Sequence, residues 1–160
     1  MKDIDDAIAK LQQKYISAVA ARNVGALIQL YDPKVRVFDA WGVWEYNRAE
    51  TWQVAVEGWL ASNPSEKLQV KFTDSITIGS LELANMTAIV TYASIAPDGS
   101  ETNSMQNRIT WVVKTSGHNL RIVHERCGEE VGRPLAEGSR RDARPRRVER
   151  AFEREITGDA

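Results

Sequence analysis

Apolar residues Ile4, Ile8, Leu11, Tyr15 and Val19 recur at intervals of three and four, the spacing that gathers side chains on one face of an α-helix. This predicts an amphipathic helix over residues 4–21, with Asp3 placed to cap it and Tyr15 on its buried stripe. Asn23 is placed to cap a second helix carrying Leu27, Ile28 and Tyr31. That helix must stop near Asp32, because Pro33 lacks an amide donor and disfavours helical geometry in the residue before it. Residues 35–39 alternate as a short strand whose end is turned by Asp39-Ala40-Trp41-Gly42. Asn47 and Glu50 have the spacing of a capping box for a third helix, with Trp52, Val56, Trp59 and Leu60 on one side and an end at Asn63-Pro64.

From Glu66 onward the period changes to two. Leu68, Val70 and Phe72 alternate with polar residues, and Ile76 and Ile78 continue the strand to a break at Gly79-Ser80. A second long strand is expected over about 83–95, with Pro97-Asp98-Gly99-Ser100 as a turn. A third covers about 102–115 and a fourth about 120–127, joined through Ser116-Gly117-His118-Asn119. Helices first and long antiparallel strands afterwards make an α+β layer arrangement, best satisfied by a sheet curled around the helices.

Composition fits one core. The chain has 160 residues, 42% of them hydrophobic, and a chain of about 150 residues buries roughly 70% of its unfolded surface. A formal charge of −1 offers no overall basic field for nucleic acid or an anionic membrane. Cys127 is the single cysteine, so no intramolecular disulfide forms, and no apolar run approaches the ~20 residues that cross a bilayer. The start, MKDIDDAIAK, carries acids where a signal peptide carries bases, so a cytoplasmic protein is expected. His118 and His124 with one cysteine make no zinc pattern, and there is neither a Gly-rich phosphate loop nor a Gly-x-Ser-x-Gly elbow. No metal and no cofactor are expected. Residues 132–160 read as a charged extension of a 1–131 domain, with eight arginines against six acids and a single apolar stripe, Val148, Phe152 and Ile156. The interleaved acids weaken its field, which favours a solvated segment or one packed on a second copy of the chain over a nucleic-acid arm.

Residues 11–42, LQQKYISAVAARNVGALIQLYDPKVRVFDAWG, are similar without a gap to the opening of the ketosteroid isomerases, within the SnoaL-like or nuclear-transport-factor-2-like superfamily. Asn107-Arg-Ile-Thr-Trp-Val and Leu120-Arg-Ile-Val-His-Glu-Arg resemble the closing hairpin of the same superfamily, with Leu120 in place of an aromatic residue and Arg126 where a second histidine often stands. The likeness spans about residues 4–128. It implies a cone-shaped, cystatin-like α+β barrel with an apolar cavity, Asp39 as general base, Tyr15 as the donor that holds the developing oxyanion, and Tyr31 as a supporting tyrosine. It also implies a homodimer and a small apolar or cyclic ligand. Two features depart from the pattern: no carboxylate lies between Glu101 and Glu125 to act as a second acid, and Ala55 stands where another supporting tyrosine is expected.

Proton removal beside a carbonyl needs a base near the carbon acid and donors aimed at the oxygen that becomes an enolate. Asp39 and Tyr15 are therefore the candidate catalytic pair, with Tyr31, Trp52, Trp59, Arg108, Thr110 and His124 as candidate pocket or supporting residues. An inward Arg108 would favour an anionic or highly oxygenated ligand, and it shares a strand face with Thr110 and Val112. Each candidate has a structural alternative: Asp39 bonding turn amides, Tyr15 and Tyr31 as core residues, Arg108 in a cross-sheet ion pair, His124 as a hydrogen-bonding residue. The activity implied is isomerisation or cyclisation of a carbonyl-containing cyclic or polyketide-like substrate. Dehydration, epoxide hydrolysis and a non-catalytic binding or self-association module are the alternatives in the same superfamily.

Overall fold

The structure is a computed structural model that describes residues 2–39 and 43–129. Its elements are α1 (Lys2–Ala20), α2 (Val24–Ile28), β1 (Tyr31–Asp39), α3 (Ala49–Ala61), β2 (Lys67–Gly79), β3 (Ala84–Ile95), β4 (Glu101–Ser116) and β5 (Asn119–Glu129). The strands form one curved sheet in the order β1-β5-β4-β3-β2. β1 runs parallel to β5, and the other neighbours are antiparallel. Ala40-Trp41-Gly42 and the expected 132–160 extension lie outside the described residues.

The core sits between the helices and one face of this sheet. The α1 stripe buries Ile4, Ile8, Leu11, Tyr15 and Val19, while β3 turns Met86, Ala88 and Val90 inward and β4 turns Asn107, Ile109, Trp111 and Val113 inward. Strand alternation therefore sends Arg108, Thr110 and Val112 to the opposite face.

Three local expectations are corrected. Tyr31 opens β1 and is not helical: α2 closes at Ile28 through a tight Leu30 N–H to Leu27 C=O turn, and Leu30 C=O then accepts the Ile122 amide at 2.9 Å. Pairing with β5 satisfies this backbone where a short helix containing Gly25 could not. Pro33, which has no amide to give, falls in the irregular stretch of the β1–β5 register between Tyr31 and Arg36. The Asn47–Glu50 capping box does not form. Arg48 is the N-cap and makes no side-chain cap bond, and Asn47 bonds Glu45 instead. Asp3 lies inside the first turn of α1, not before it, where its charge still complements the helix dipole.

The connection after α3 is tied to the end of α1 by one side chain. Arg22, in the left-handed region at φ 52°, donates from its guanidinium to the carbonyls of Leu60, Ser62 (2.8 Å), Asn63 (2.9 Å) and Glu66 (2.7 Å). This fixes the C-terminal end of α3 against the end of α1.

Candidate functional site

A cavity of about 260 Å³ opens between α1, α3 and the sheet. The helices supply Tyr15, Trp52, Ala55, Val56 and Trp59 to its wall, and β1 supplies Asp39. Tyr92, Met105, Asn107, Glu125 and Cys127 come from β3, β4 and β5. An apolar cavity of about 150 Å³ holds benzene, so this volume suits a molecule of roughly two fused rings. Ala55 helps to make that room, since a tyrosine in its place would occupy the cavity it lines. Aromatic hydroxyls aside, the buried polar side chains among the described residues are Asn107 and Glu125, and both face this cavity.

Glu125 is the residue that sequence reasoning missed. It is 2% exposed, and its Oε2 accepts hydrogen bonds from the Tyr31 hydroxyl at 2.7 Å and the Trp111 indole N–H at 2.9 Å. Burial pushes its carboxyl up to about 7; the Tyr31 and Trp111 bonds oppose that rise, and the Asp39 charge adds to it. The group therefore exchanges a proton near neutral pH. Tyr31 does not line the cavity. It holds Glu125 from behind, on the neighbouring strand.

The position of Glu125 was hidden by a bulge. Val113 pairs with Ile122 while Val112 pairs with His124, so β5 carries an extra residue, Val123, at that point. Alternation counted from Ile122 would turn His124 inward. The bulge reverses the parity and turns Glu125 and Cys127 inward instead. His124 consequently lies outside the cavity, its Nδ1 2.8 Å from Arg36 C=O and its ring 5.1 Å from that of Phe38. Arg108 is exposed and Thr110 half-buried on the outer sheet face, and neither is among the residues that line the cavity. Trp52 and Trp59 do line it, whereas Trp111 is buried beneath Tyr15 and Phe72, and Trp44 is 90% exposed.

Tyr15 is brought to the cavity by the α1 stripe. Its hydroxyl lies 3.0 Å from that of Tyr92, and its ring packs on Phe72 and Trp111 at 5.7 and 5.4 Å. Burial, and after it the charge of Glu125, raises its pKa well above the ordinary value, so it remains a neutral donor. Asn107 gives its Nδ2 to Cys127 Sγ at 3.4 Å, and its buried Oδ1 has no hydrogen-bond partner among the described residues; the Trp52 indole lies against Tyr31, whose hydroxyl it helps to hold. Cys127 is no nucleophile, because burial pushes its thiol up to about 12 and the Glu125 charge adds to that. Among the described residues no three His, Cys, Asp or Glu side chains gather as metal ligands would, and no helix is long and apolar enough to cross a membrane.

No family model matches the chain, and no curated protein does. Solved structures do. An NTF2-like protein of unknown function from Pseudomonas putida superposes with a TM-score of 0.70 at 16% identity, covering 80% of this chain and 87% of its own. A protein of unknown function with a cystatin-like fold from Nostoc punctiforme gives 0.67 at 12% identity, covering 82% and 95%. An NTF2-like protein with a cystatin-like fold from Novosphingobium aromaticivorans gives 0.65 at 10% identity, covering 81% and 83%. Likeness at this identity establishes the fold: the cystatin-like α+β architecture of NTF2-like proteins.

Proposed function

Starting from that fold, we propose that the protein is a cofactor-independent enzyme that moves a proton beside the carbonyl of a cyclic, largely apolar substrate. The observation that supports this is the meeting of Asp39, Tyr15 and Glu125 on one cavity with otherwise mostly apolar walls. Asp39 takes the proton from the carbon next to the carbonyl. The C–H electron pair moves into the new C=C bond, and the carbonyl oxygen, gaining charge, is held by the neutral Tyr15 hydroxyl. Returning the proton at a different carbon isomerises the substrate. Attack by the enolate carbon on a second carbonyl of the same molecule would cyclise it, with the proton ending on the new alcohol.

Glu125 takes the part of the second acid absent from β4. Below about pH 7 it carries a proton, and both hydrogen bonds that it accepts fall on Oε2. A low-dielectric pocket with preset donors gains most from charge that develops only in the transition state. The non-catalytic module would be favoured by a filled core around Asp39; an open cavity beside two carboxylates argues for a ligand instead.

The test is deuterium exchange at the α-carbon of a panel of cyclic enones, followed by NMR, in which exchange no faster than buffer across the panel sinks the proposal. Tyr15→Phe is expected to lower kcat by ~10²-fold with a smaller change in KM, because the lost hydrogen bond strengthens as the enolate forms. An effect confined to KM would make Tyr15 a binding residue, and one confined to melting temperature would return it to the core.

A further inference from the structure

Beside the catalytic cavity lies a second hollow of about 170 Å³. Trp59, Tyr92 and Met105 line both, and the Trp59 and Tyr92 rings meet edge to face at 5.4 Å. The two spaces follow one another along β4: Asn107 borders the cavity, Met105 both, and Asn103 the hollow. At ~3.3 Å per residue, Asn107 and Asn103 stand roughly 13 Å apart. The chemistry changes over that distance. The cavity has carboxylates on apolar walls, whereas the hollow sets Ser62, Asn63, Gln69, Ser94 and Asn103 around an apolar floor of Val19, Leu68, Val70 and Ala93, with no charged side chain lining it.

The polar rim is also held in place. Ser62 and Asn63 belong to the segment whose carbonyls Arg22 binds, and Asn63 is fixed in the left-handed region at φ 45°. Amide and hydroxyl side chains both donate and accept, which matches the mixed character of alcohol groups. No cationic side chain lines the hollow to hold an anionic appendage, and the apolar floor suits the carbon face of a sugar while the rim amides suit its hydroxyls.

We propose that the substrate is longer than the cavity: its ring system occupies the cavity while a neutral, polyhydroxylated appendage of the glycoside or polyol class crosses the Trp59–Tyr92–Met105 lip into the hollow. This rests on the reading of the cavity as the catalytic pocket. Two probes separate the claims. 2-Naphthol fills the cavity only, its phenol standing in for an enol, and 6-hydroxynaphth-2-yl β-D-glucopyranoside adds a sugar at the opposite end. By calorimetry the glucoside is expected to bind about tenfold more tightly, the gain of a few neutral hydrogen bonds net of desolvation.

Asn103→Trp, which fills the hollow from an exposed position, and Asn63→Gly, which keeps the backbone conformation but removes the amide, should each cut that advantage to within about twofold, with melting curves confirming the fold. Equal or weaker binding of the glucoside by the wild type overturns the inference and leaves the cavity reading standing. An advantage that survives both variants places the sugar elsewhere and also overturns it. Failure of the wild type to bind either probe removes the cavity reading, and the inference with it.

Discussion

Asp39→Asn is expected to lower turnover by ~10²–10⁴-fold, the range a positioned general base contributes, while leaving the melting temperature within a few degrees of wild type. The amide keeps the shape of the side chain and one carbonyl acceptor, but it cannot hold a proton taken from carbon. Measured beside Glu125→Gln, the substitution also decides which carboxylate is the base. Asp39 as base predicts a large loss for Asp39→Asn and a smaller one for Glu125→Gln, since the glutamine amide can still donate to the oxygen. The reverse ranking would move the base to Glu125. Turnover within a few-fold of wild type for Asp39→Asn would remove Asp39 from the chemistry.

Tyr15 and Asp39 border one cavity; their catalytic pairing came from the family resemblance, while the placement of each was legible in the sequence because each lies on a simple period. Tyr15 belongs to an unbroken i, i+4 stripe, and Asp39 ends a strand whose alternation with Val35 and Val37 needs no bulge to be read. The four long strands were equally clear, since Gly79-Ser80, Pro97 to Ser100 and Ser116 to Asn119 separate them with turn residues. What the sequence concealed lies where the backbone departs from its period. The extra residue at Val123 moves Glu125 inward and His124 outward, and nothing in the composition of Ile122-Val-His-Glu announces a bulge. Tyr31 was read as helical because apolar spacing alone cannot weigh a parallel strand partner ninety residues away. The cavity itself follows from the absence of bulk at Ala55 together with a fixed helix end, and Arg22, the residue that fixes that end, looks in sequence like any surface arginine.

The wild type is expected to lose stability relative to Glu125→Gln as pH rises from about 4.5 to about 7, by on the order of 3 kcal/mol in total. Burial raises the folded-state pKa of Glu125 from an ordinary 4.5 to about 7. The folded protein therefore binds this proton more tightly than the unfolded chain, and its contribution to stability is fully present below the unfolded value. That contribution is lost as pH climbs through the folded one. Glutamine keeps an acceptor for Tyr31 and Trp111 but never ionises, so subtracting its melting profile from that of the wild type cancels the titration of the remaining carboxylates. For a domain of this size the difference in melting temperature should widen by on the order of 10 °C across the interval, the variant being the more stable above pH 7. Parallel profiles would mean that Glu125 is ionised in the folded protein throughout, compensated by its hydrogen bonds, and so unable to donate to an enolate at neutral pH. If the profiles diverge and enone exchange by the wild type falls over the same interval while that of the variant stays level, the proton that stabilises the fold is also the one the reaction uses.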